Sequence, residues 1–537
     1  MMYSFWCHPL VIAVLLTVLN ACKPVAVDDT AYLTMARHLA RHPGDPYGFD
    51  QFWYARPQPA MEVLAPPVLP YWLGLGIALF GEHEFLLKLW LFPFAALLTF
   101  SLRSLLKRFA AGTETLLLPL IGFSGIVLPL FGFMLDLPAL ALSLTSLEWF
   151  ARGGRFQTGV SAILLALALQ TKYTAIVYPS VIIWFGITNG RVWSAVVIVL
   201  GSVLLFAAWE GWLFHHYGHS HFWFHATEER PAQSLYEAKM ALVSPMLSYL
   251  GGLAIGLALL ASRATGWWRG MEWIIAVMAL SSLTAIAVLP GYPSERVARN
   301  TMPLLGVLFL IAVGISAFRI GVRDRISRFL IGWWCLELAS YFVLTPFPAG
   351  RRVIGLALVS AMIFARSISI STYSNRWPSW AILALGPFIG LTVYAIDVWD
   401  AQPEKRLAQN AQQWLAGKGG TVWFNGHWGF QYYCERAGMK PVDCDVSLLE
   451  PGDWLVFPAI PDDQGFYRPY HGGAKFKPDE RFLTAVTEWT WDDALNATTI
   501  PTLYGGSYPL LGRSHPRLKV VIYRVNEAYC PERILEP

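Results

Sequence analysis

The sequence predicts a polytopic α-helical membrane protein of about thirteen crossings, with a small α/β domain outside the bilayer. Three observations predict it. Of 537 residues, 55% are hydrophobic and only 14% charged, against about 25% charged in soluble proteins. Apolar runs of membrane length recur from the N-terminus to residue 396. Basic residues gather in alternate loops, as they do on the cytoplasmic side of a membrane. The net charge of +4 is too small and too dispersed for nucleic-acid binding.

The first crossing is Pro9–Ala26. Leu19-Asn20-Ala21-Cys22 resembles a lipoprotein cleavage box, but residues 1–8 contain no Lys or Arg. A positive n-region is therefore missing, and an uncleaved helix is the better reading. Residues 27–83 form one long periplasmic loop. In it Asp28 or Asp29 caps an amphipathic helix whose Ala31, Leu33, Met35, Ala36 and Leu39 lie on the bilayer surface. Arg37, His38, Arg41 and His42 then face the headgroups. Leu64–Phe80 contains Pro66, Pro67 and Pro70 and is short for a span. A crossing there would put Arg103, Lys107 and Arg108 outside, so the run is taken as re-entrant or interfacial.

Further crossings are expected at 84–105, 115–133 and 136–151, then as two short legs over 159–187 meeting at Gln170-Thr171-Lys172-Tyr173. They continue at 193–214, 241–261, 271–290, 301–318, 329–347, 353–365 and 377–396, with GYPSERVARN as an outer loop before 301. This assignment places Arg103, Lys107, Arg108, Arg152, Arg155, Arg191, Arg263, Arg269, Arg319, Arg323, Arg325, Arg328, Arg366 and Arg376 inside. The N-terminus is inside and the C-terminus outside. Residues 397–537 lack a membrane-length run and change character. A linking helix is expected at Pro403–Leu415, strands at 421–425, 453–458 and 518–525, and a helix at 431–437. Cys434 and Cys444 either pair in an oxidising compartment or stay as buried thiols.

Four features exceed what a passive bundle needs, and all fall on the outer face. Asp28-Asp29 follows the first crossing. Asp136 is a lone carboxylate ahead of Pro138, suited to a helix cap or to chemistry. Lys172 is the only charge between Phe156 and Asn189, so it is functional, paired, or snorkelling to the surface. Arg351-Arg352 sits outside against the charge trend, where a guanidinium fork holds phosphate or binds anionic lipid. A carboxylate that takes a proton from an acceptor, with cations that stabilise a phosphate leaving group, forms one coherent reaction set. The histidine loop His215-His216-Tyr217-Gly218-His219-Ser220-His221-Phe222-Trp223-Phe224-His225 reads as a metal site or an aromatic interfacial loop; no carboxylate follows until Glu228 and Glu229. His427 with Trp423, Trp428, Phe430, Tyr432 and Tyr433 suits sugar stacking or an ordinary domain core.

The order of an acidic pair with Tyr32 just after it, Pro66-Pro67, FGEHEFLLKLW, MLDLP, LALQTKYTA and PAGRRV resembles the polytopic GT-C glycosyltransferases. The nearest branch holds lipid A aminoarabinose transferase, protein O-mannosyltransferases and rhizobial galacturonosyltransferase-like proteins, and the likeness spans roughly residues 9–370. It implies a GT-C transferase domain over 1–396 and a periplasmic α/β domain over 397–537. It further implies a bacterial inner-membrane enzyme that moves a sugar from a polyprenyl-phosphate donor to a lipid, polysaccharide or protein acceptor facing the periplasm. Asp28 would be the general base, with Asp29 a supporting carboxylate in place of the usual Glu and Asp136 the second catalytic carboxylate. Lys172, Arg351 and Arg352 would meet the donor phosphate, Arg352 standing where Tyr is common. Ala65 replaces a Lys or His that some members place before the Pro pair, and Arg56 is the expected substitute. The resemblance names no definite cofactor and leaves a divalent metal open, without a supporting ligand pattern. The competing reading is a non-catalytic binder or transporter of lipid-linked glycans; a mere membrane anchor needs far fewer crossings.

Overall fold

A computed structural model describes residues 7–531 apart from 55, 228–238, 266–270, 372–379, 460–477, 493–494 and 514–515. Glu228, Glu229, Arg269 and Arg376 therefore lie outside the described residues. The chain starts with α1 (Pro9–Ala21), α2 (Asp29–Leu39), a hairpin of β1 (Asp50–Trp53) and β2 (Arg56–Pro59), and α3 (Val68–Phe80). The bundle continues with α4 (Glu84–Phe109), α5 (Glu114–Gly122), α6 (Asp136–Arg152), α7 (Arg155–Leu169) and α8 (Val177–Thr188). It is completed by α9 (Val192–Tyr217), α10 (His221–Thr227), α11 (Val243–Thr265), α12 (Met271–Val288), α13 (Gly291–Ile320), α14 (Arg325–Leu344), α15 (Ile354–Ser369) and α16 (Trp380–Leu415). Among the described residues, five helical stretches are long and apolar enough to cross a membrane: α4, α9, residues 243–260, α13 and residues 350–369. Shorter apolar helices, α1, α3, α7, residues 173–188 and residues 272–288, accompany them.

Close approach of backbones holds the bundle where residues are small. A Cβ on Gly306 would stand 2.0 Å from the Leu247 carbonyl oxygen, and one on Gly251 would stand 2.1 Å from that of Met302. The α11–α13 crossing is thus closed by glycines from both helices, as helices pack where no hydrophobic effect drives them together.

Four expectations change. The run 115–133 is not a continuous crossing: α5 ends at Gly122, and Leu128–Leu130 forms only a 3-10 turn. Gly122, Gly125 and Pro129 lie where the helix stops, and the segment is apolar because protein buries it, the condition under which irregular backbone is tolerated at membrane depth. GYPSERVARN is no loop but the opening turns of the 30-residue α13. The apolar face of α2 does not lie on lipid: Leu33, Met35 and Ala36 are fully buried, and a Cβ on Gly74 of α3 would lie 3.0 Å from Ala36 O. Arg37, expected at the headgroups, instead donates to both carboxylate oxygens of Glu82 at 2.8 and 3.0 Å. Finally, α16 runs unbroken through Pro387 and Pro403, so the boundary expected at 396/397 and the separate linking helix both fall inside one helix.

Beyond α16 lie β3 (Val422–Phe424), α17 (Trp428–Arg436), β4 (Lys440–Pro441), β5 (Trp454–Ala459), β6 (Leu483–Trp491), β7 (Ala497–Thr498), β8 (Leu511–Gly512) and β9 (Leu518–Val525). The mixed sheet has the order β4-β3-β5-β9-β6, with β3 parallel to β4 and β5 and β9 antiparallel to β5 and β6. Cys434 and Cys444 are buried and are not joined in a disulfide. This part interlocks with the bundle. Gly291 N donates to Arg513 O at 3.2 Å and Tyr249 Oη to Thr502 O at 2.7 Å. A buried network joins Lys23 of the first segment to Asp397 of α16 and to Tyr504 Oη, while Arg517 pairs with Asp400.

Candidate functional site

Five of the expected residues meet at one end of the bundle, at the starts of four helical elements. Asp28 precedes α2, Asp136 opens α6, Lys172 occupies the break between α7 and α8, and Arg351-Arg352 form the 3-10 turn before α15. Lys172 Nζ lies 2.5 Å from Asp136 Oδ1. Arg351 Nη1 lies 3.4 Å from Asp28 Oδ2, and Arg351 Nε lies 3.9 Å from Asp136 Oδ2. The order Asp28–Arg351–Asp136–Lys172 is thus a continuous chain of alternating charge. Arg352 stacks its guanidinium 5.2 Å from the Phe347 ring centre.

These charges border an open cleft between α6, α8, α14 and α15. Asp136 Oδ2, Arg351 Nε and Arg352 Nε are buried there without a hydrogen-bond partner among the described residues. Buried groups rarely stay unsatisfied unless something else meets them. Three cations face two carboxylates, and the N-termini of α6 and α15 add their positive dipole ends. Such a site favours an anion with several oxygens. It does not suit a metal ion, because each carboxylate already faces a cation; among the described residues no group of three or more His, Cys, Asp or Glu is arranged to hold one.

Other expected residues lie elsewhere. Asp29 is 4% exposed and turns away from its neighbour Asp28, because consecutive helical positions differ by about 100°. Its Oδ2 accepts from Ala26 N at 3.4 Å, and burial pushes its carboxyl up to about 6 despite nearby Lys88 and Lys23. It shapes the turn that presents Asp28. Arg56 is half-exposed on β2, 4.0 Å from Asp445, and is not brought to the cluster. In the histidine loop, His221 is tied down: Nε2 meets Leu64 O at 2.9 Å and Nδ1 meets Tyr173 Oη at 2.6 Å. That contact fastens the loop over Lys172's neighbour, and burial pushes the imidazole down to about 3.

Glu337 was not anticipated. It is a buried carboxylate of α14 on the cleft wall, accepting from Trp333 Nε1 at 3.0 Å. The signal was present, since it is the one acid in an apolar stretch of membrane length.

No protein-family model and no curated protein matches the chain. Solved structures show a distant likeness. The oligosaccharyltransferase of Archaeoglobus fulgidus, crystallised with zinc and sulfate, is 14% identical at a TM-score of 0.46, covering 81% of this chain and 62% of its own. The same organism's AglB with an inhibitory peptide and a dolichol-phosphate gives 14% and 0.42, with coverages of 81% and 64%. ArnT from Cupriavidus metallidurans bound to undecaprenyl phosphate gives 13% and 0.38, with coverages of 83% and 91%. The chain thus spans less than two thirds of the archaeal enzyme's length. At these scores the likeness assigns neither a fold nor an activity to it.

Proposed function

We propose that the protein is a bacterial inner-membrane glycosyltransferase that moves a sugar from a polyprenyl-phosphate donor to an acceptor on the periplasmic side. The observation that supports this reading is the Asp28–Arg351–Asp136–Lys172 chain at the mouth of a cleft with unpartnered guanidinium nitrogens. Asp28 is the most accessible carboxylate of the chain, its side chain 28% exposed against 8% for Asp136. It is the general base. As it takes the acceptor proton, the acceptor oxygen or nitrogen bonds to the sugar's anomeric carbon and the bond from that carbon to phosphate oxygen breaks, with inversion. The leaving phosphate changes from a monoanionic diester towards a dianionic monoester. Arg351, Arg352 and Lys172 therefore interact more strongly with the transition state than with the bound donor, which is what acceleration requires. Asp136 acts as a positioning residue, since it holds Lys172 and Arg351 rather than facing the acceptor.

The test uses the full chain in nanodiscs with radiolabelled polyprenyl-phosphate hexoses and pentoses and an envelope acceptor fraction. Wild type should transfer label and Asp28→Asn should not, at equal expression. Full transfer by Asp28→Asn would refute the base assignment. Saturable donor binding without any transfer would instead favour a glycan-binding or transport protein.

A further inference from the structure

Three non-glycine residues with positive φ stand out among the described ones: Val27 (51°), Tyr54 (58°) and Trp428 (57°). Backbone of this kind is strained and gathers at functional sites. Two of them, Tyr54 and Trp428, flank one side chain, His427. Val27 immediately precedes Asp28, and Tyr54 turns the β1–β2 hairpin. Trp428 follows His427 at the head of α17. The Tyr54 ring lies 4.0 Å and the Trp53 ring 4.9 Å from the His427 ring, centre to centre. Trp53, Tyr54 and Trp428 are partly exposed, whereas His427 is 3% exposed.

The tautomer of His427 follows from its neighbours. Gln431 Nε2 donates to Phe52 O at 3.2 Å and to Glu435 Oε1 at 2.7 Å, which orients the amide. Gln431 Oε1 then faces His427 Nδ1 at 2.8 Å and can only accept, so Nδ1 carries the proton. Nε2 is left as a buried lone pair with no partner among the described residues. Burial pushes the imidazole down to about 4, outweighing Gln431 and the nearby Asp28 carboxylate, which act the other way. The group is thus a neutral acceptor beside the proposed base. The elements around it are docked firmly: Thr30 Oγ1 donates to Trp428 O at 2.6 Å and Val25 N to Tyr433 Oη at 2.9 Å.

We infer that the acceptor of the proposed transferase is a saccharide, bound between the hairpin tip and α17. Its pyranose ring lies against Trp53, Tyr54 and Trp428, and one of its hydroxyls donates to His427 Nε2. This rests on the transferase reading of Asp28. A flat, partly exposed aromatic wall with a single buried acceptor suits a ring whose faces present C–H groups and whose rim presents O–H donors. The acceptor oxygen that reacts passes its proton to Asp28; His427 only orients the ring.

The test measures saturation-transfer NMR of the full chain in nanodiscs against methyl pyranosides of glucose, galactose, mannose and N-acetylglucosamine. A serine-containing hexapeptide and phosphatidylethanolamine vesicles serve as the other candidates. At least one pyranoside should bind wild type and Asp28→Asn equally, with affinity at least tenfold weaker in His427→Ala and in Tyr54→Ala, a surface change that spares the core. Absence of pyranoside binding, equal binding by both variants, or preference for the peptide or the phospholipid overturns the inference. If Asp28→Asn loses transfer while no pyranoside binds, the saccharide site alone fails. If a pyranoside binds as described while Asp28→Asn keeps transfer, the assignment of Asp28 as base fails instead; if a pyranoside binds while wild type transfers nothing, the transferase reading fails.

Discussion

Arg351 Nη1 stands 3.4 Å from Asp28 Oδ2, joining residues 323 positions apart. One guanidinium edge faces the proposed base, while Nε, 3.9 Å from Asp136 Oδ2, has no hydrogen-bond partner among the described residues. Arg351 can therefore bind phosphate and fix Asp28 at once. Arg351→Lys keeps the charge but loses the planar fork. It should raise the donor KM and lower kcat, whereas Asp28→Asn should lower kcat by about 10²–10⁴-fold, the usual worth of a general base, with donor binding retained. Steady-state kinetics with donor varied separates the two; an unchanged donor KM in Arg351→Lys would remove Arg351 from the phosphate site.

The Asp136–Lys172 pair is nearly buried, with side chains 8% and 14% exposed. Removing one partner strands the other, at a typical cost of about 3–5 kcal/mol. Lys172→Met should therefore lower the apparent Tm in detergent markedly. The double variant Asp136→Asn with Lys172→Met should recover much of that loss while staying inactive. Recovery of transfer along with stability would show the pair to be structural only.

Gly429, second in α17, packs against the segment that presents Asp28. A Cβ there would meet Val25 O at 2.4 Å and Glu404 Oε2 at 2.2 Å. The Glu404 carboxyl can turn aside, but the Val25 carbonyl is backbone. Gly429→Ala should cost about 1–3 kcal/mol as overpacking and shift Asp28. Transfer should fall while donor binding at Arg351 and Lys172 is spared. Equal losses of donor binding and transfer would mean that the shift spreads through the whole cluster.

Much of the cluster was legible in the sequence for an energetic reason. A charge in an apolar run of membrane length is costly, so Asp136, Lys172 and Arg351 stood out. The facing of adjacent residues was not legible: nothing local decides whether Asp28 or Asp29 turns inward, and the packing of α2 on α3 and α17 decides it. The run 115–133 misled because a lipid-facing helix and a protein-buried irregular segment share the same composition. The hairpin over His427 was missed because its role exists only across the long-range contact of Phe52 with Gln431. The strands 422–424, 454–459 and 518–525 were found because their apolar runs are bounded by polar turns. β6, which alternates and is largely exposed, was not.

Acid should loosen the contact between the hairpin and α17. His427 titrates near 4 in the fold against about 6.5 when exposed. Between these values the unfolded chain binds more protons, so stability is lost as pH falls from 6.5 towards 4. By pH 5 the loss from this one group is about 2 kcal/mol. The groups packed around it titrate in the opposite sense. Burial pushes Asp29 up to about 6 and also raises Glu404 and Glu435. A carboxyl whose pKa is raised by folding favours the folded chain as pH falls, so the total change in wild type is smaller than that from His427. The comparison with His427→Gln isolates the imidazole, because the carboxyls are common to both. The difference in apparent Tm, wild type minus variant, should shrink as pH is lowered from 7.5 to 5. A difference that stays constant over that range would mean that His427 is not held neutral by burial.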